Sequence, residues 1–498
     1  MKLTSKEQPL DFLRGREPET LYQELTAEIV VPERLPDLDR VVDAWGTVVL
    51  PERSVEAGSV RLSGGVQAGV VYVPEGEGAP QLLEGWLPFR LQRELQDRES
   101  CVITRLFLKS IDARSVNARK VLLRANLGIE LTELTPEHLG LAAIEDAPEA
   151  LQQQQNTYPA LLPVDCAAQE FRVQDELQLT DTSPAIERIL RWELNPKVHE
   201  GRVIGSRAVF KGEVDVALLY LGTDGSINTY RGRLPFSQYA ELSGEWPDGQ
   251  VEVWPVITAA QLETDGQMES RTLLADLNLL AQVCIIDRRP ITVTEDAYAL
   301  GGTLEPVWQT VSVQPRLDLQ TIRQSARLQT PIKAERVLYV SLLADKPTQR
   351  RSQDSVYLTC ALSGNLLYLG ADGLLKSKSL RGECGCSTAL APSCRCLSRA
   401  ALTAPPEASV NADGVQIDAE LELTLDIRQD GAWQNLAGGE ITPREGKKRP
   451  SVVVRRFAGG PLWPLAKQLG ASVSEIEAAN SLTGQAAPEN NILLIPLQ

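Results

Sequence analysis

The chain has 498 residues and carries 50 basic and 66 acidic side chains, which gives a net charge of −16 at pH 7. This length is too great for one hydrophobic core and predicts roughly three or four domains. An acidic surface argues against a nucleic-acid coat, because binding to phosphates needs basic side chains. The sequence has no apolar stretch of ~18 residues and begins with a polar segment, so we expect neither a transmembrane helix nor a cleaved signal peptide. These properties predict a multi-domain cytosolic protein.

The sequence gives little support for catalysis. Histidine is the usual general base near neutral pH, and the two histidines, His138 and His199, lie in polar, turn-like segments. The sequence motifs of phosphate-binding loops, dinucleotide-binding folds, serine hydrolases and zinc proteases are absent. We therefore predict that the protein is not an enzyme. A hydrolase with a catalytic carboxylate pair stays an alternative, because the chain has 66 acidic residues.

Short motifs recur at a spacing of 148 residues. An acidic residue, an arginine and two aliphatic residues follow one another at 39–42, 187–190 and 335–338. A tyrosine closes an apolar run at Tyr72, Tyr220 and Tyr368. The segment Leu-Pro-Phe occurs at 87–89 and again at 234–236. Similarity at a fixed period indicates copies of one structural unit, so we predict three copies of one domain.

Each copy is predicted to be rich in β-strands. Residues 213–216 alternate acidic and apolar side chains, which is the pattern of a half-buried strand. Asp-Gly turns at 224–225 and 372–373 are each followed by a returning strand. Few segments show helical periodicity, so the predicted fold class is mainly β, with three tandem β-sandwich-like repeats of about 148 residues. We expect the recurring tyrosines and Leu-Pro-Phe segments to be core and turn residues.

Changes in composition predict the domain boundaries. The polar segment 152–156, QQQQN, precedes two prolines, so we expect a linker there. Gly301–Gly302 ends the pattern of the second copy, and the basic segment 442–450 is a further predicted linker. The predicted domains are residues 1–151, 157–300 and 301–443 for the three copies, and 450–498 for a C-terminal unit.

The C-terminal unit is predicted to be a small α+β fold with the order strand, helix, helix, strand. The predicted strands are 451–457 and 492–496. Apolar side chains at 462, 465, 466 and 469 share one helical face, and Gly470 is the predicted end of this helix. Ser472 and Glu475 are predicted to form a capping box at the start of the second helix.

This unit resembles a LysM domain. The residues that match in order are Leu462, Trp463, Ala466, Val473, Ile476, Asn480 and Ile495–Pro496. The turn that reads Gly-Asp-Thr in LysM domains is Gly459–Gly460–Pro461 here. In glycan-binding LysM domains this turn lines the groove for N-acetylglucosamine polymers, so its change argues against sugar binding. The resemblance implies a set of partner-binding residues: Gly459, Gly460, Leu462, Trp463 and Asn480. Trp463 could be a buried anchor or a sugar-stacking face.

The whole chain resembles SipL-type spore morphogenesis proteins, in which tandem SPOCS domains precede a LysM domain. The resemblance rests on the motif that opens at Pro36 and Pro184, on the apolar run into tyrosine, and on Leu-Pro-Phe. It implies a non-enzymatic adaptor in the mother-cell cytoplasm that binds the basement-layer morphogenetic ATPase and helps the coat encase the forespore. In this family the LysM domain is implicated in protein binding. The alternative function is binding of peptidoglycan through the LysM unit.

Four of the eight cysteines crowd into thirteen residues, as Cys384, Cys386, Cys394 and Cys396. Four thiolates can hold one structural Zn²⁺ tetrahedrally, although the C-x-C spacing is tighter than usual. A disulfide or redox cross-link and the lack of any special role are the alternatives, and a reducing cytosol disfavours stable disulfides. The scattered cysteines are predicted to be small buried apolar residues: Cys101, Cys166, Cys284 and Cys360.

Overall fold

The computed structural model describes the chain except residues 77, 268, 430, 444–449, 483, 485, 489, 490 and 498. The described residues form mainly β-strands, as predicted, with two short helices near the C-terminus. No helix in these residues is long and apolar enough to cross a membrane.

Residues 19–133 form the first sandwich. The strands, in chain order, are β1 (Lys2–Leu3), β2 (Ser5–Gly15), β3 (Glu19–Val30), β4 (Leu38–Glu56), β5 (Ser59–Pro74), β6 (Gln81–Glu94), β7 (Cys101–Asn117) and β8 (Lys120–Ile144). The antiparallel sheet β4-β5-β6 faces a sheet in which β8 lies between β3 and β7. Alternate side chains of both sheets point inward and form one apolar core.

The second sandwich follows the same plan. Its segment contains β9 (Leu151–Tyr158), β10 (Leu161–Gln178), β11 (Ile186–Ile204), β12 (Arg207–Gly222), β13 (Ile227–Glu241), β14 (Gln250–Thr264) and β15 (Thr272–Arg288). The sheet β11-β12-β13 faces a sheet in which β15 lies between β10 and β14. The predicted turn at 224–225 is present between β12 and β13, with Gly225 at a φ of 80°.

The third sandwich has a divided first sheet. Its segment contains β16 (Ile291–Ala299), β17 (Gly302–Val313), β18 (Arg316–Thr330), β19 (Ala334–Ala344), β20 (Thr348–Arg351), β21 (Ser355–Gly370), β22 (Leu375–Ala389), β23 (Cys394–Leu402), β24 (Glu407–Asn411), β25 (Gly414–Gln429) and β26 (Gly431–Pro443). β21 pairs with β19, β20 and β22, and this sheet faces one in which β25 lies between β18 and β23.

The C-terminal module contains β27 (Val452–Phe457), β28 (Gly460–Pro461), α1 (Trp463–Leu469), α2 (Val473–Ala479), β29 (Ala486–Ala487) and β30 (Asn491–Pro496). The predicted strands and helices are present, and Gly470 ends α1 with a φ of 68°. Ser472 is the residue before α2, but it makes no side-chain cap, and its hydroxyl hydrogen-bonds to that of Ser474. The Ser472 half of the predicted capping box is therefore not formed.

Three antiparallel ribbons, which we call the hub, connect the sandwiches. They pair β2 with the end of β8, β9 with β16, and β17 with β26. Each ribbon joins the strand before a sandwich to the strand after it. The buried Asn435 of β26 donates to the Ala142 carbonyl at 2.7 Å and accepts from the Thr294 amide at 2.9 Å, so one side chain joins all three ribbons. β1 pairs with β26, which brings the first residues of the chain to the hub.

The predicted linker at 152–156 is wrong. These residues lie in β9 and pair with β16. The polar side chains do not prevent strand pairing because they find partners there: Asn156 donates to Glu295 at 2.5 Å, and Gln155 donates to Thr294 at 3.4 Å. The other predicted linker, 442–450, falls mostly on residues 444–449, outside the described residues.

The equivalent strands β4, β11 and β19 each contain a bulge that changes which residues point inward. The bulges lie at Val42, Leu190 and Leu338. The next residues are therefore also buried, and they meet between the sandwiches. We call Asp43, Arg191 and Tyr339 the axial triad. Arg191 Nη1 donates to Asp43 Oδ2 at 2.5 Å, and the guanidinium lies 4.8 Å from the centre of the Tyr339 ring.

Buried polar side chains also join the second sandwich to its neighbours. Gln282 of β15 accepts from the Thr104 amide of the first sandwich at 2.8 Å and donates to the Thr104 carbonyl at 2.7 Å. On the other side, Arg316 of β18 bonds Asp426 at 3.0 Å and also pairs with Glu252 of β14. At each of these two boundaries, a polar side chain of one sandwich thus bonds a partner from the adjacent sandwich.

The third sandwich contacts the first through Glu130 of β8. This carboxylate lies 3.2 Å from Lys346 and 3.5 Å from Arg399, and Arg105 of its own sandwich lies 3.4 Å away. Burial alone would raise the pKa of Glu130, but Arg399, Arg105 and Lys346 outweigh it, and the pKa lies below its ordinary value of 4.5. The three sandwiches therefore close a ring of pairwise contacts.

We expect Glu130→Gln to reduce the acid sensitivity of the protein. Because the pKa of Glu130 is lower in the folded state, its ionisation stabilises the fold above the unfolded pKa, and this contribution disappears as pH falls through the folded pKa. The variant should lose about 2 kcal/mol at pH 7. Its free energy of unfolding should then fall less than that of the wild type between about pH 5 and pH 3. Glu24→Gln, which removes an exposed partner of Arg124, is the control and should give a curve parallel to that of the wild type.

Two of the scattered cysteines form a disulfide. Cys101, at the start of β7, is bonded to Cys166 of β10, so the bond links the first sandwich to the second. The prediction that these two are small buried apolar residues is therefore wrong, because β7 and β10 are neighbours in space although 65 residues separate the cysteines. Such a cross-link typically stabilises a fold by ~2–4 kcal/mol. Cys284 and Cys360 are free and buried, as predicted.

Candidate interaction sites

The C-terminal module packs against the hub through β16. Tyr298 of β16 and Leu300, directly after the strand, belong to the same apolar core as the helices of the module. Because side chains alternate along a strand, Ala297 and Ala299 point to the other side and join the core of the hub. The end of β16 thus contributes one face to the hub and the other to the module.

Trp463 lies at the centre of this contact. Its Nε1 donates to Asp296 Oδ2 at 2.8 Å, and its ring centre lies 4.9 Å from that of Tyr298 in an edge-to-face arrangement. Lys467, one turn later in α1, donates to Asp296 Oδ1 at 2.5 Å. We call Asp296, Tyr298, Trp463 and Lys467 the docking contact. The indole is therefore occupied by residues of the same chain.

The electrostatics of the docking contact favour ionised Asp296 and protonated Tyr298, which are the states that form its hydrogen bonds. Burial would raise the pKa of Asp296, but the hydrogen bonds from Lys467 and Trp463 lower it further, to below its ordinary value. Burial and the nearby Asp296 carboxylate raise the pKa of Tyr298 to about 12. Its hydroxyl therefore stays protonated near neutral pH and donates to the Ala471 carbonyl at 2.7 Å.

The other predicted partner-binding residues lie in the same module. Leu462 is fully buried. Asn480 bonds the Ile476 carbonyl at 2.7 Å and both backbone groups of Leu494, which ties the end of α2 to β30. Gly459 and Gly460, with φ of 94° and 104°, form the turn before α1. Leu462 and Asn480 thus hold the module together, and the role of the set in binding a partner stays a prediction.

Sequence reasoning missed two features of this region. It gave no signal for Asp296 and Tyr298, because nothing in a single chain links β16 to a tryptophan more than 160 residues later. It also missed the outward face of the β27–β30 sheet, which exposes the apolar side chains of Val452, Val454, Ile492 and Leu494. A usable signal existed for the second feature, because the strands read VVV and ILLI and so are apolar on both faces.

The four clustered cysteines lie on two facing sheets of the third sandwich. Cys384 and Cys386 are in β22, Cys394 and Cys396 are in β23, and all four are free. Among the described residues, no group of three or more His, Cys, Asp or Glu side chains is placed to hold a metal ion. Burial raises the pKa of the Cys384 thiol, and that of Cys396 to about 11, whereas zinc binds the thiolate. The geometry gives the zinc hypothesis no support, and that hypothesis stays a prediction.

Core packing accounts for part of the cysteine cluster. Strands β6 and β13 carry the Leu-Pro-Phe segments, and β22 is the equivalent strand of the third sandwich. Each of these strands places one core side chain opposite a residue of the central strand of its sheet. The opposing pairs are Phe89–Gly64, Phe236–Gly212 and Cys384–Cys360. A Cβ on Gly64 or Gly212 would lie 3.0 or 2.6 Å from the phenylalanine ring, so only glycine leaves room for it. In the third sandwich two cysteines fill the space of one phenylalanine and one glycine.

Comparison with known proteins gives one match. Residues 185–264 match the family model described as SipL, SPOCS domain. This segment begins one residue before β11 and ends with β14, so it covers four of the six strands of the second sandwich. No curated protein and no solved structure matches the chain. The second sandwich is thus similar to the SPOCS domain of SipL, which supports a relationship to the SipL-type family and a spore-related role.

Proposed function

We propose that the protein is a non-enzymatic adaptor of spore-coat morphogenesis. It acts in the mother-cell cytoplasm at the forespore surface, where it binds the basement-layer morphogenetic ATPase and helps the coat encase the forespore. The observation that carries this proposal is the similarity of residues 185–264 to the SPOCS domain of SipL. The ATPase, the cellular location and the lack of catalysis come from the resemblance of the whole chain to that family.

We extend the SPOCS-like assignment to the first and third sandwiches. Strands β5, β12 and β21 have 16 residues each and begin at 59, 207 and 355, which are steps of 148. The Tyr72 hydroxyl donates to the Pro36 carbonyl, and the Tyr220 hydroxyl donates to the Pro184 carbonyl at the same spacing. These equivalent contacts support three divergent copies of one domain.

The surroundings of the charged side chains support an adaptor rather than an enzyme. The buried charges of Glu130, Arg316 and Asp426 pair across or beside the boundaries between sandwiches. His138 and His199 are exposed beside Asp11 and Glu213 on the surface. Charges in these positions stabilise the ring, and a ring of sandwiches offers a broad surface for binding proteins.

We assign the C-terminal module as a LysM-like unit that binds a protein partner. Its Gly459–Gly460–Pro461 turn has no polar side chains to bond a sugar. The Trp463 indole, the candidate for stacking on a sugar ring, already bonds Asp296 and contacts Tyr298. Both observations favour a protein partner over peptidoglycan.

A direct binding experiment tests this function. The full chain is titrated in parallel with the purified basement-layer ATPase and with N-acetylglucosamine oligomers. We expect saturable binding to the ATPase and no binding to the oligomers. Binding to the oligomers alone would contradict the adaptor function and support the peptidoglycan-binding alternative.

A further inference from the structure

The β27–β30 sheet of the C-terminal module has two apolar faces. Its inner face, with Leu493 and Ile495, is fully buried against α1 and α2. Its outer face exposes Val454 by 62% and Ile492 by 65%. Val454 lies directly opposite Leu494, so the exposed side chains are adjacent. Contiguous exposed apolar side chains on a water-facing sheet mark a contact surface.

We call Val452, Val454, Ile492 and Leu494 the outer face. The docking contact covers a different part of the module, because Trp463 and Lys467 belong to α1 and the helices lie on the inner side of the sheet. The outer face therefore stays accessible while the module is docked on the hub. A partner can reach it without displacing Trp463.

A basic residue of the same sheet borders the outer face, and the nearby sequence is basic. Arg456 lies opposite Ile492 on the outer side of the sheet, whereas Arg455 bonds Gln468 of α1 on the inner side. The segment 444–456 carries six basic residues and one acidic residue. Residues 1–443, by contrast, carry 43 basic and 62 acidic side chains. Arg456 thus places a positive charge at the outer face of a chain whose net charge is −16, and complementary charge favours a partner that is negatively charged at this point.

We infer that the outer face is the docking surface for a protein partner whose contact area is apolar at the centre and acidic at the rim. This inference rests on the proposed function and assigns the outer face as the place where the adaptor binds the ATPase. The apolar side chains form the centre of the contact, and Arg456 guides the approach of the acidic rim. A folded protein is a suitable partner for this sheet face because a rigid surface loses little conformational freedom on binding.

The test compares two matched double variants of the full chain. Val454→Glu with Ile492→Glu places two negative charges on the outer face. Val116→Glu with Ile204→Glu makes the same changes at sites that are 55% and 51% exposed on the sandwiches. Both variants should keep the thermal unfolding of the wild type, because all four side chains are exposed. The probe is the purified basement-layer ATPase.

We expect the outer-face variant to bind the ATPase at least ~30-fold more weakly, and the control variant to bind like the wild type. Equal binding by wild type and both variants would overturn the inference and leave the proposed function intact. A wild type that does not bind the ATPase would overturn both.

Two further measurements on the same variants identify other occupants. Sedimentation would show whether the outer face joins two copies of this chain, and vesicles of phosphatidylglycerol and phosphatidylcholine would show whether it contacts anionic lipid. A dimer or vesicle binding that only the outer-face variant loses, with unchanged ATPase affinity, would overturn the inference. Retention of ATPase binding by Arg456→Glu, at a lower association rate with weaker salt dependence, would support it.

Discussion

Arg191→Met is expected to lower the free energy of unfolding by about 3–5 kcal/mol, because it leaves the buried Asp43 carboxylate without its cationic partner. Asp43 and Arg191 are almost fully buried, and Asp43 also accepts a hydrogen bond from the Asn365 amide at 3.3 Å. An amide cannot neutralise the charge. The loss also removes the contact of the guanidinium with Tyr339. Equilibrium denaturation in urea measures the effect.

A double variant separates the pair from the packing around it. Asp43→Leu combined with Arg191→Met removes both charges, so no unpaired charge stays buried, and the loss should be smaller than that of Arg191→Met alone. The exposed pair Arg172–Asp276 of the second sandwich provides the control. Arg172→Met should change the free energy of unfolding by less than ~1 kcal/mol. Equal losses in the single and double variants would contradict the assignment of the pair as coupled.

The axial triad illustrates which features of the ring could be predicted from the sequence and which could not. The recurring tetrads could be found because their residues are similar in all three copies, and each tetrad ends at the bulge of β4, β11 or β19. The residue after each tetrad is Asp43, Arg191 or Tyr339. These residues differ because they contact one another, so a search for similarity passes over them. Contacts between copies depend on complementary residues, which a repeat does not preserve.

The strands and turns of the fold could be predicted where local patterns determine them. The Asp-Gly turns at 224–225 and 372–373 and the helix end at Gly470 all follow from the need for a positive φ. The segment 152–156 could not be predicted this way, because its glutamines lie in a strand only through pairing with β16. The polar composition of this segment suggests a linker, but its strand structure depends on pairing with a strand about 140 residues away.

In the candidate site, too, the sequence predicts local features but not contacts between distant segments. The residues of the C-terminal module that carry the LysM resemblance could be named from the sequence, and they lie together in the structure. Their surroundings could not be predicted: Trp463 contacts β16, and the Cys101–Cys166 bond joins two sandwiches. The sequence shows that β27 and β30 are apolar on both faces. This pattern indicates a contact surface only once the structure shows that the two strands pair with each other.

Tyr298→Ala is expected to release the C-terminal module from the hub, with a loss of about 3–5 kcal/mol from the docking contact. Tyr298 is 7% exposed, packs edge-to-face on Trp463 and donates its hydroxyl to Ala471. Its truncation leaves a cavity between β16 and α1 and removes the hydrogen bond. The neighbours Ala297 and Ala299 point into the hub, so the hub core should be unaffected. Small-angle scattering should show a larger radius of gyration, and amide hydrogen exchange in β16 should increase.

Tyr298→Phe is the matched control for this release. It keeps the aromatic contact and loses only the hydroxyl, so it should cost about 1 kcal/mol and leave the module docked. Unchanged scattering and exchange in Tyr298→Ala would show that the docking contact does not hold the module. The outer face lies on the other side of the sheet from the helices, so an undocked module should still bind the ATPase. In this arrangement β16 fixes the position of the module relative to the ring, and the affinity for the partner depends on the outer face.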